Sequence, residues 1–219
     1  VSYANEEIEA WIQSDHSLVI LKVSRTLGVM CRLKHFLPPH ILRTLYNSLI
    51  LPHLQYAVLV WGFKSSRLEK LQKRAVRIIS QSKYNSHTEP IFRTMNLLKL
   101  SDIFKLNILK FYHKHQQGHL PNYFQNLFRS TDITHPYNTR TNQTVFQFRV
   151  RTSSCRNCFR FFVPDILKVT PPCITNKFLT HSLPGFTKYI KNYFIANYSS
   201  RCNIENCYIC NRNTGLQDI

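Results

Sequence analysis

Acidic residues are scarce in this sequence. Only 11 Asp and Glu oppose 29 Lys and Arg among 219 residues, which gives a formal net charge of +18. Between His16 and Thr88 the one acidic side chain is Glu69, against twelve Lys or Arg, and residues 133–164 contain no acid at all. This imbalance favours a polyanionic partner such as nucleic acid or an acidic membrane surface. The alternative is a protein that is merely basic and soluble.

Paired carboxylates and glycine-rich loops are also missing. Two-metal polymerases and nucleases hold Mg²⁺ ions about 3.5–4 Å apart on clustered carboxylates. Here no aspartate is followed by a second one, and the five glycines stand singly, so no phosphate-binding loop is present. We therefore expect no polymerase or nuclease activity from this chain by itself. Ten His and seven Cys leave a Cys/His nucleophilic pair open, because abundance does not define geometry.

No apolar run is long enough to cross a membrane, since the stretch 49–63 is interrupted by Pro52 and by polar residues after it. The first 15 residues carry three Glu and one Asp, where a secretory signal would be basic and then apolar. We therefore expect an intracellular protein, nuclear or cytoplasmic, that is neither secreted nor membrane-bound. Seven irregularly spaced cysteines indicate thiols, not a disulfide framework.

Apolar residues recur at helical spacing along most of the chain, which predicts a mainly α-helical protein. We expect a short helix at residues 5–12 and a second, more buried one within 18–33, where Gly28 argues against an unbroken helix. Residues 54–61 are compatible with a strand or a helix, and the helical interpretation is preferred.

Prolines and glycines mark the ends of further predicted helices. Pro38 and Pro39 fit the first positions of one helix, and Pro52 should kink or end it. Its predicted buried stripe is Ile41, Leu42, Leu45 and Leu49. A later helix should be capped by Ser101-Asp102 and should end near Gly118.

Four segments follow from these patterns: an N-terminal helix over 1–20, a helical bundle over 21–129, a smaller α+β region over 130–198, and a polar tail over 199–219. We place the boundary near residue 129 because the amino-acid composition changes there and becomes rich in Ser, Thr, Asn and His. Residues Val145 to Val150 partly alternate and predict a strand. A last amphipathic helix has the apolar stripe Phe186, Tyr189, Ile190, Tyr193 and Phe194.

The clearest surface belongs to a helix predicted from Ser66, which has capping-box spacing with Glu69. One side of this helix is apolar, with Leu68, Leu71, Ala75, Ile78 and Ile79. Its other side gathers cations within about a third of the circumference, and these are the candidate nucleic-acid-binding residues. They are Arg67, Lys70, Lys73, Arg74 and Arg77, with Lys64 nearby. The alternative is a solvated face that only keeps the protein soluble.

Two groups of cysteines are candidates for metal binding. Cys155 and Cys158 form a CxxC, and Cys202, Cys207 and Cys210 form C-x4-C-x2-C in the tail. Structural zinc needs four ligands, so the tail would need a fourth, for which the candidates are Cys173, His181 or one of the CxxC pair. The alternative is that all are free thiols and that the protein has no cofactor.

Four stretches carry a family resemblance. They are KVSRTLGVMCRLKHFLPPHILRTLYNSLILPHLQYAVLVWG from Lys22, LEKLQKRAVRIISQSKYNSHTEPIF from Leu68, NLLKLSD from Asn96 and YNTR from Tyr137. In order and spacing, residues 22–140 resemble the region downstream of the palm in reverse transcriptases of Jockey-type non-LTR (LINE) retrotransposons. None of these motifs is catalytic.

The resemblance implies a thumb-like region that grips the primer–template duplex of an RNA-directed DNA polymerase. The family's palm carries a Tyr/Phe-Ala-Asp-Asp motif, and Tyr3-Ala4-Asn5-Glu6 lacks both aspartates. Beyond Arg140 the match weakens, because Val163 to Lys168 replaces the family's Gly-Pro-x-x-Trp-Asn segment.

We therefore expect a non-enzymatic fragment that binds the backbone of RNA or DNA, with a palm and fingers domain as a missing partner. One alternative is a stand-alone basic RNA-binding module whose cysteine tail takes zinc. The other is an inert retrotransposon remnant without a role.

Overall fold

The computed structural model describes residues 2–62, 66–124, 127–128, 159–178, 180–200 and 207. Within these ranges the protein is mainly α-helical and has no β-strand, which confirms the predicted fold class. The predicted strand Val145 to Val150 lies outside the described residues. The same is true of the change in composition after residue 129. The chain divides into two compact units, Val1–Ile103 with Asn192–Ile219, and Phe104–Lys191.

The first unit begins with helix α1, which runs without interruption from Ser2 to Leu33. The expectation of two separate helices is wrong. Gly28 lies inside α1, where it costs about 1 kcal/mol relative to alanine, and the turns around it bury enough apolar surface to offset that cost. From residue 16 onward, the buried apolar residues of α1 recur at helical spacing: Val19, Val23, Leu27 and Met30.

Five shorter helices follow α1 in the described part of the first unit: α2 at Pro39–Leu45, α3 at Leu51–Gln55, α4 at Val58–Trp61, α5 at Ser66–Ile79 and α6 at Glu89–Thr94. Helix α1 packs against α3, α4 and α5, while α5 also packs against α2 and α6. Helix α5 is therefore surrounded on its apolar side by three other helices. No helix in the described part of the chain is long and apolar enough to cross a lipid bilayer.

Between α2 and α3 the chain forms a π turn at Tyr46–Ile50. Pro52, in the first turn of α3, has no N–H to donate to the carbonyl four residues before it. The wider π turn shifts the hydrogen bonds ahead of the proline, so that the helix changes type there and ends at Gln55. Pro38 and Pro39 stand at the start of α2, as predicted.

The π turn also changes which residues are buried. Leu42, Tyr46, Ile50 and Leu54 are all 0% exposed and follow one another every four residues. Ile41 and Leu49, by contrast, are 39% and 45% exposed, and Leu45 is half-buried. The predicted stripe is therefore correct only at Leu42, because a period of 3.6 residues does not describe a segment that contains a π turn.

A sharp corner precedes α5. Tyr56 is extended, Ala57 adopts a left-handed conformation with φ 45°, and the chain then turns into α4, so residues 54–61 contain helix as preferred. The indole Nε1 of Trp61 donates to the Tyr56 carbonyl over 2.8 Å. Trp61 is 1% exposed, and its ring lies 5.6 Å from that of His16 on α1. The corner is thus fixed by one buried tryptophan.

Helices α5, α6 and α7 (Leu100–Gln116) end in the same way. The residues Gln81, Asn96 and Gly118 have φ of 53°, 53° and 67°. In each case the next N–H returns to a carbonyl five residues earlier, as in Ser82 to Arg77, which is the Schellman arrangement. The predicted end of α7 near Gly118 is confirmed.

The start of α7 is where the C-terminal segment of the first unit is attached. The Tyr198 hydroxyl donates to Asp102 Oδ2 over 2.5 Å, and it accepts the Lys99 N–H over 3.1 Å. Arg93 Nη1 donates to the Tyr198 carbonyl over 2.9 Å. The predicted cap at Ser101-Asp102 is wrong, because the helix begins at Leu100 and both residues lie inside its first turn, where Asp102 is a buried acceptor.

The second unit contains most of α7, a 3₁₀ turn at Asn122–Phe124, α8 at Phe159–Val169, α9 at Pro172–Thr175 and most of α10, Leu183–Ala196. Phe178 and Phe186 are buried, with ring centroids 5.0 Å apart. The buried His113 lies beside them, 2.9 Å from the His181 carbonyl through Nε2. The predicted stripe of α10 is buried at Phe186 and Ile190 and half-buried at its other positions.

Candidate nucleic-acid interface

The basic surface predicted on α5 is present as an exposed row of side chains. Arg67, Lys70, Lys73 and Arg74 are exposed, whereas Arg77 is half-buried. Lys64 lies outside the described residues. On the opposite side Leu68, Ala75 and Ile79 are fully buried. Because the inner face is packed, the outer cations can face only away from the bundle.

The orientation of α5 is fixed by one buried polar side chain, Gln72, which is 1% exposed. Its Nε2 donates to the Tyr46 hydroxyl and to the Leu98 carbonyl, both over 2.9 Å. Its Oε1 accepts the Leu100 N–H over 2.8 Å. One amide therefore joins α5 to the π turn and to the start of α7. Sequence reasoning missed this residue, since the helical pattern gives no reason to bury a glutamine.

Arg77 differs from the other cations of α5. Its Nε donates to the Ser86 carbonyl over 2.8 Å, so the guanidinium is held against the loop that follows the helix. Burial lowers the pKa of Arg77, and the nearby Tyr84 opposes that shift. Arginine is basic enough that its guanidinium remains charged at neutral pH when its pKa is lowered in this way. Arg77 is thus a fixed and partly desolvated cation, whereas Arg67, Lys70, Lys73 and Arg74 are exposed to solvent.

Lys73 is the cation of this row that interacts electrostatically with the Glu89 carboxylate. Glu89 pairs with Lys99 over 2.6 Å, and this hydrogen bond lowers the pKa of Glu89 most. The charge of Lys73 also contributes to lowering the pKa of Glu89, which places the two within electrostatic reach. The effect of Lys73 is the smallest of those that act on Glu89, whose direct partner is Lys99. Lys70 and Arg74 lie farther round the helix from that carboxylate.

A groove of about 470 Å³ opens between the C-terminal ends of α1 and α5. It is lined by Cys31, Lys34, His35, Arg74, Arg77, Ile78, Gln81, Ser82 and Tyr84. Sequence analysis found its two arginines but missed Lys34, His35 and Tyr84. No periodic pattern joins these residues, because they come from the end of one helix and from a loop about fifty positions later. The one local signal is an aromatic residue within the polar run Ser80 to His87.

Only part of the candidate zinc cluster can be located. Cys207 is buried, and its Sγ lies 3.1 Å from His87 Nε2. Cys155, Cys158, Cys202 and Cys210 lie outside the described residues. Cys173 is an exposed free thiol and His181 is exposed, both in the second unit. Within the described part of the chain, no three His, Cys, Asp or Glu side chains are grouped as a metal would require.

His87 is a possible ligand that sequence reasoning did not consider. A tetrahedral zinc with Zn–S of about 2.3 Å and Zn–N of about 2.0–2.1 Å separates the two ligand atoms by about 3.5 Å. The observed distance of 3.1 Å is close to that value, so the pair fits two positions of such a site after a small movement.

No protein-family model, curated protein or solved structure matches this chain. The resemblance to non-LTR reverse transcriptases therefore remains a prediction from the motifs. Three features of the structure bear on function: the exposed cations of α5, the groove beside them and the His87–Cys207 pair.

Proposed function

We propose that this chain is a non-catalytic nucleic-acid-binding fragment that grips the backbone of an RNA or DNA duplex. In the non-LTR reverse transcriptases that the chain resembles, the thumb grips the duplex. A palm domain on another part of the polypeptide would carry out nucleotidyl transfer. The observation that supports the proposal is the exposed row Arg67, Lys70 and Arg74 on a helix whose opposite side is packed.

The spacing of these cations suits a phosphate backbone. At a rise of about 1.5 Å per residue, Arg67 and Lys70 are about 4.5 Å apart along the helix, and Arg67 and Arg74 about 10.5 Å. Long, mobile side chains on such a row reach successive phosphates without reading bases. The binding is therefore expected to depend strongly on salt and weakly on sequence.

A charge-deletion experiment tests this proposal. Binding of the chain to a blunt DNA duplex is measured by fluorescence anisotropy over a range of salt concentrations. The variant Lys70→Gln/Arg74→Gln is expected to flatten the plot of log K against log salt by about two units. The control Lys22→Gln/Arg25→Gln removes two exposed cations of α1 and should keep the wild-type slope. An unchanged slope in the α5 variant would refute the proposal.

A second candidate function is a stand-alone RNA-binding module with a zinc site in its tail. The contact between His87 Nε2 and Cys207 Sγ favours it, because it brings a second type of zinc ligand to the cysteine cluster. Metal analysis of the purified chain separates the two candidates. The thumb proposal needs no metal.

Two further assays separate these candidates from an enzyme and from an inert remnant. Magnesium-dependent primer extension by this chain alone is expected to be undetectable. Measurable extension would show that the chain is a polymerase. Cooperative thermal unfolding is expected because the core of the first unit is closely packed around Gln72. A broad, non-cooperative transition together with no duplex binding would indicate a remnant.

A further inference from the structure

We propose that the groove between the ends of α1 and α5 binds one unpaired nucleotide of the nucleic acid, with its base against Tyr84 and its phosphate against Lys34 and Arg74. This inference rests on the proposed function and names the part of the ligand that the groove recognises. It predicts that the chain prefers a duplex that continues into a single strand over one with blunt ends.

The charge of the groove suits a phosphate. Three cations line it, Lys34 directly after the end of α1 and Arg74 and Arg77 from α5, and no acidic side chain is among the lining residues. Arg77 is held in place through its Nε by Ser86, so its position is fixed before a ligand arrives. Arg74 also belongs to the exposed row of α5, and a bound strand can therefore pass from the row into the groove without a break in positive charge.

Tyr84 offers the aromatic surface that a base needs. The residue is 83% exposed, although a tyrosine ring is a large apolar group, and it stands in the loop that follows α5. Tyr84 and Arg77 line the same groove, so an aromatic ring and a fixed cation are both available to one ligand. An aromatic ring beside a cationic backbone track is the usual arrangement in proteins that bind single strands, and stacking on it tolerates any base.

The size and rim of the groove suit a single nucleotide. Its volume of about 470 Å³ falls within the range of pockets for small organic ligands, and a paired base in a duplex cannot enter it without leaving its stack. His35, Gln81 and Ser82 place polar side chains at the rim. The Gln81 side chain also reaches Lys34, because its Nε2 donates to the Lys34 carbonyl over 3.5 Å.

Anisotropy titrations with two probes test the inference: a blunt duplex and the same duplex with a single-stranded overhang. Wild type is expected to bind the overhang probe more tightly. Tyr84→Ala should weaken binding of the overhang probe about tenfold and leave the blunt probe unchanged, while Tyr84→Phe, which keeps the ring, should bind as wild type does. Phe36→Ala is the matched control, because Phe36 is 82% exposed but does not line the groove.

A charge variant provides a second readout. Lys34→Gln should flatten the salt dependence for the overhang probe by roughly one unit more than Lys83→Gln, since Lys83 is exposed but outside the groove. If blunt binding persists but Tyr84→Ala affects both probes equally or neither, the groove assignment is wrong and the proposed function stands. If wild type binds neither probe, the proposed function itself fails and the groove assignment with it.

Discussion

Gln72 Nε2 donates a hydrogen bond to the Tyr46 hydroxyl across 2.9 Å, in a part of the protein where both side chains are essentially fully buried. The two residues belong to α5 and to the π turn. The same amide satisfies one carbonyl and one N–H at the approach to α7. The direction in which α5 presents its cations therefore depends on a polar contact inside the core.

Replacing Gln72 by leucine is expected to lower the free energy of unfolding by about 3 kcal/mol. The volume is nearly conserved, but the Tyr46 hydroxyl and the Leu100 N–H lose their partner in the core. Urea unfolding followed by circular dichroism measures the change. Gln55→Leu, at an exposed position of α3, is the control and should stay within about 0.5 kcal/mol of wild type. Equal losses in the two variants would contradict the role of Gln72.

Alkaline pH should destabilise the protein through its buried tyrosines. Burial raises the pKa of Tyr46 to about 12, and burial together with the hydrogen bond to Asp102 raises the pKa of Tyr198. The unfolded chain loses these protons near pH 10 while the folded chain keeps them, so the stabilisation is complete below about pH 10. It is lost as the pH rises from there through the folded-state pKa, which for Tyr46 is about 12.

The variant Tyr46→Phe isolates one of these groups. Between about pH 10 and 12 its free energy of unfolding should fall less steeply than that of wild type, by up to about 1.4 kcal/mol per pH unit. Tyr123→Phe removes a hydroxyl from a residue that is 90% exposed, and it should follow the wild-type curve. Parallel pH curves for wild type and Tyr46→Phe would show that Tyr46 ionises equally in both states.

Local pattern was sufficient to predict α5 and its two faces. Its apolar residues repeat every three or four positions, and its cations fill the remaining side. Within this short segment the local sequence pattern and the packing of the core therefore favour the same helix. The same reasoning failed for the segment before it. The π turn at Tyr46–Ile50 depends on the hydrogen bonds around Pro52, and it moves the buried stripe to positions that a regular helix would expose.

The groove and the buried amide could not be predicted because their members are distant in the sequence. Gln72 contacts residues 26 and 28 positions away. Lys34 and Tyr84 meet beside Arg74 only because α1 packs against α5. A helical pattern predicts which side of a helix is buried, but it does not predict which helix covers that side.

The cations of α5 should contribute unequally to duplex binding. Lys70→Gln is expected to weaken binding of a blunt duplex by roughly five-fold at low salt, and Lys73→Gln by less, because Lys73 lies within electrostatic reach of the Glu89 carboxylate. Anisotropy titrations at one salt concentration are sufficient for this comparison. In a Glu89→Gln background the two lysine variants should become alike. A larger loss for Lys73→Gln than for Lys70→Gln would contradict this ranking.

The zinc content of the purified protein tests whether the cysteine-bearing tail binds metal. If His87 and Cys207 are ligands, the chain purified without chelator should contain about one zinc ion, and both His87→Ala and Cys207→Ala should lose it. His40→Ala and Cys31→Ala are the controls, since His40 is exposed on α2 and Cys31 lines the groove. Cobalt substitution adds a spectroscopic signal of thiolate ligation that is independent of nucleic-acid binding. Wild-type protein without metal would leave His87–Cys207 as an ordinary, partly buried hydrogen bond. It would also remove the zinc-module alternative, because that alternative requires the metal to organise the cysteine tail.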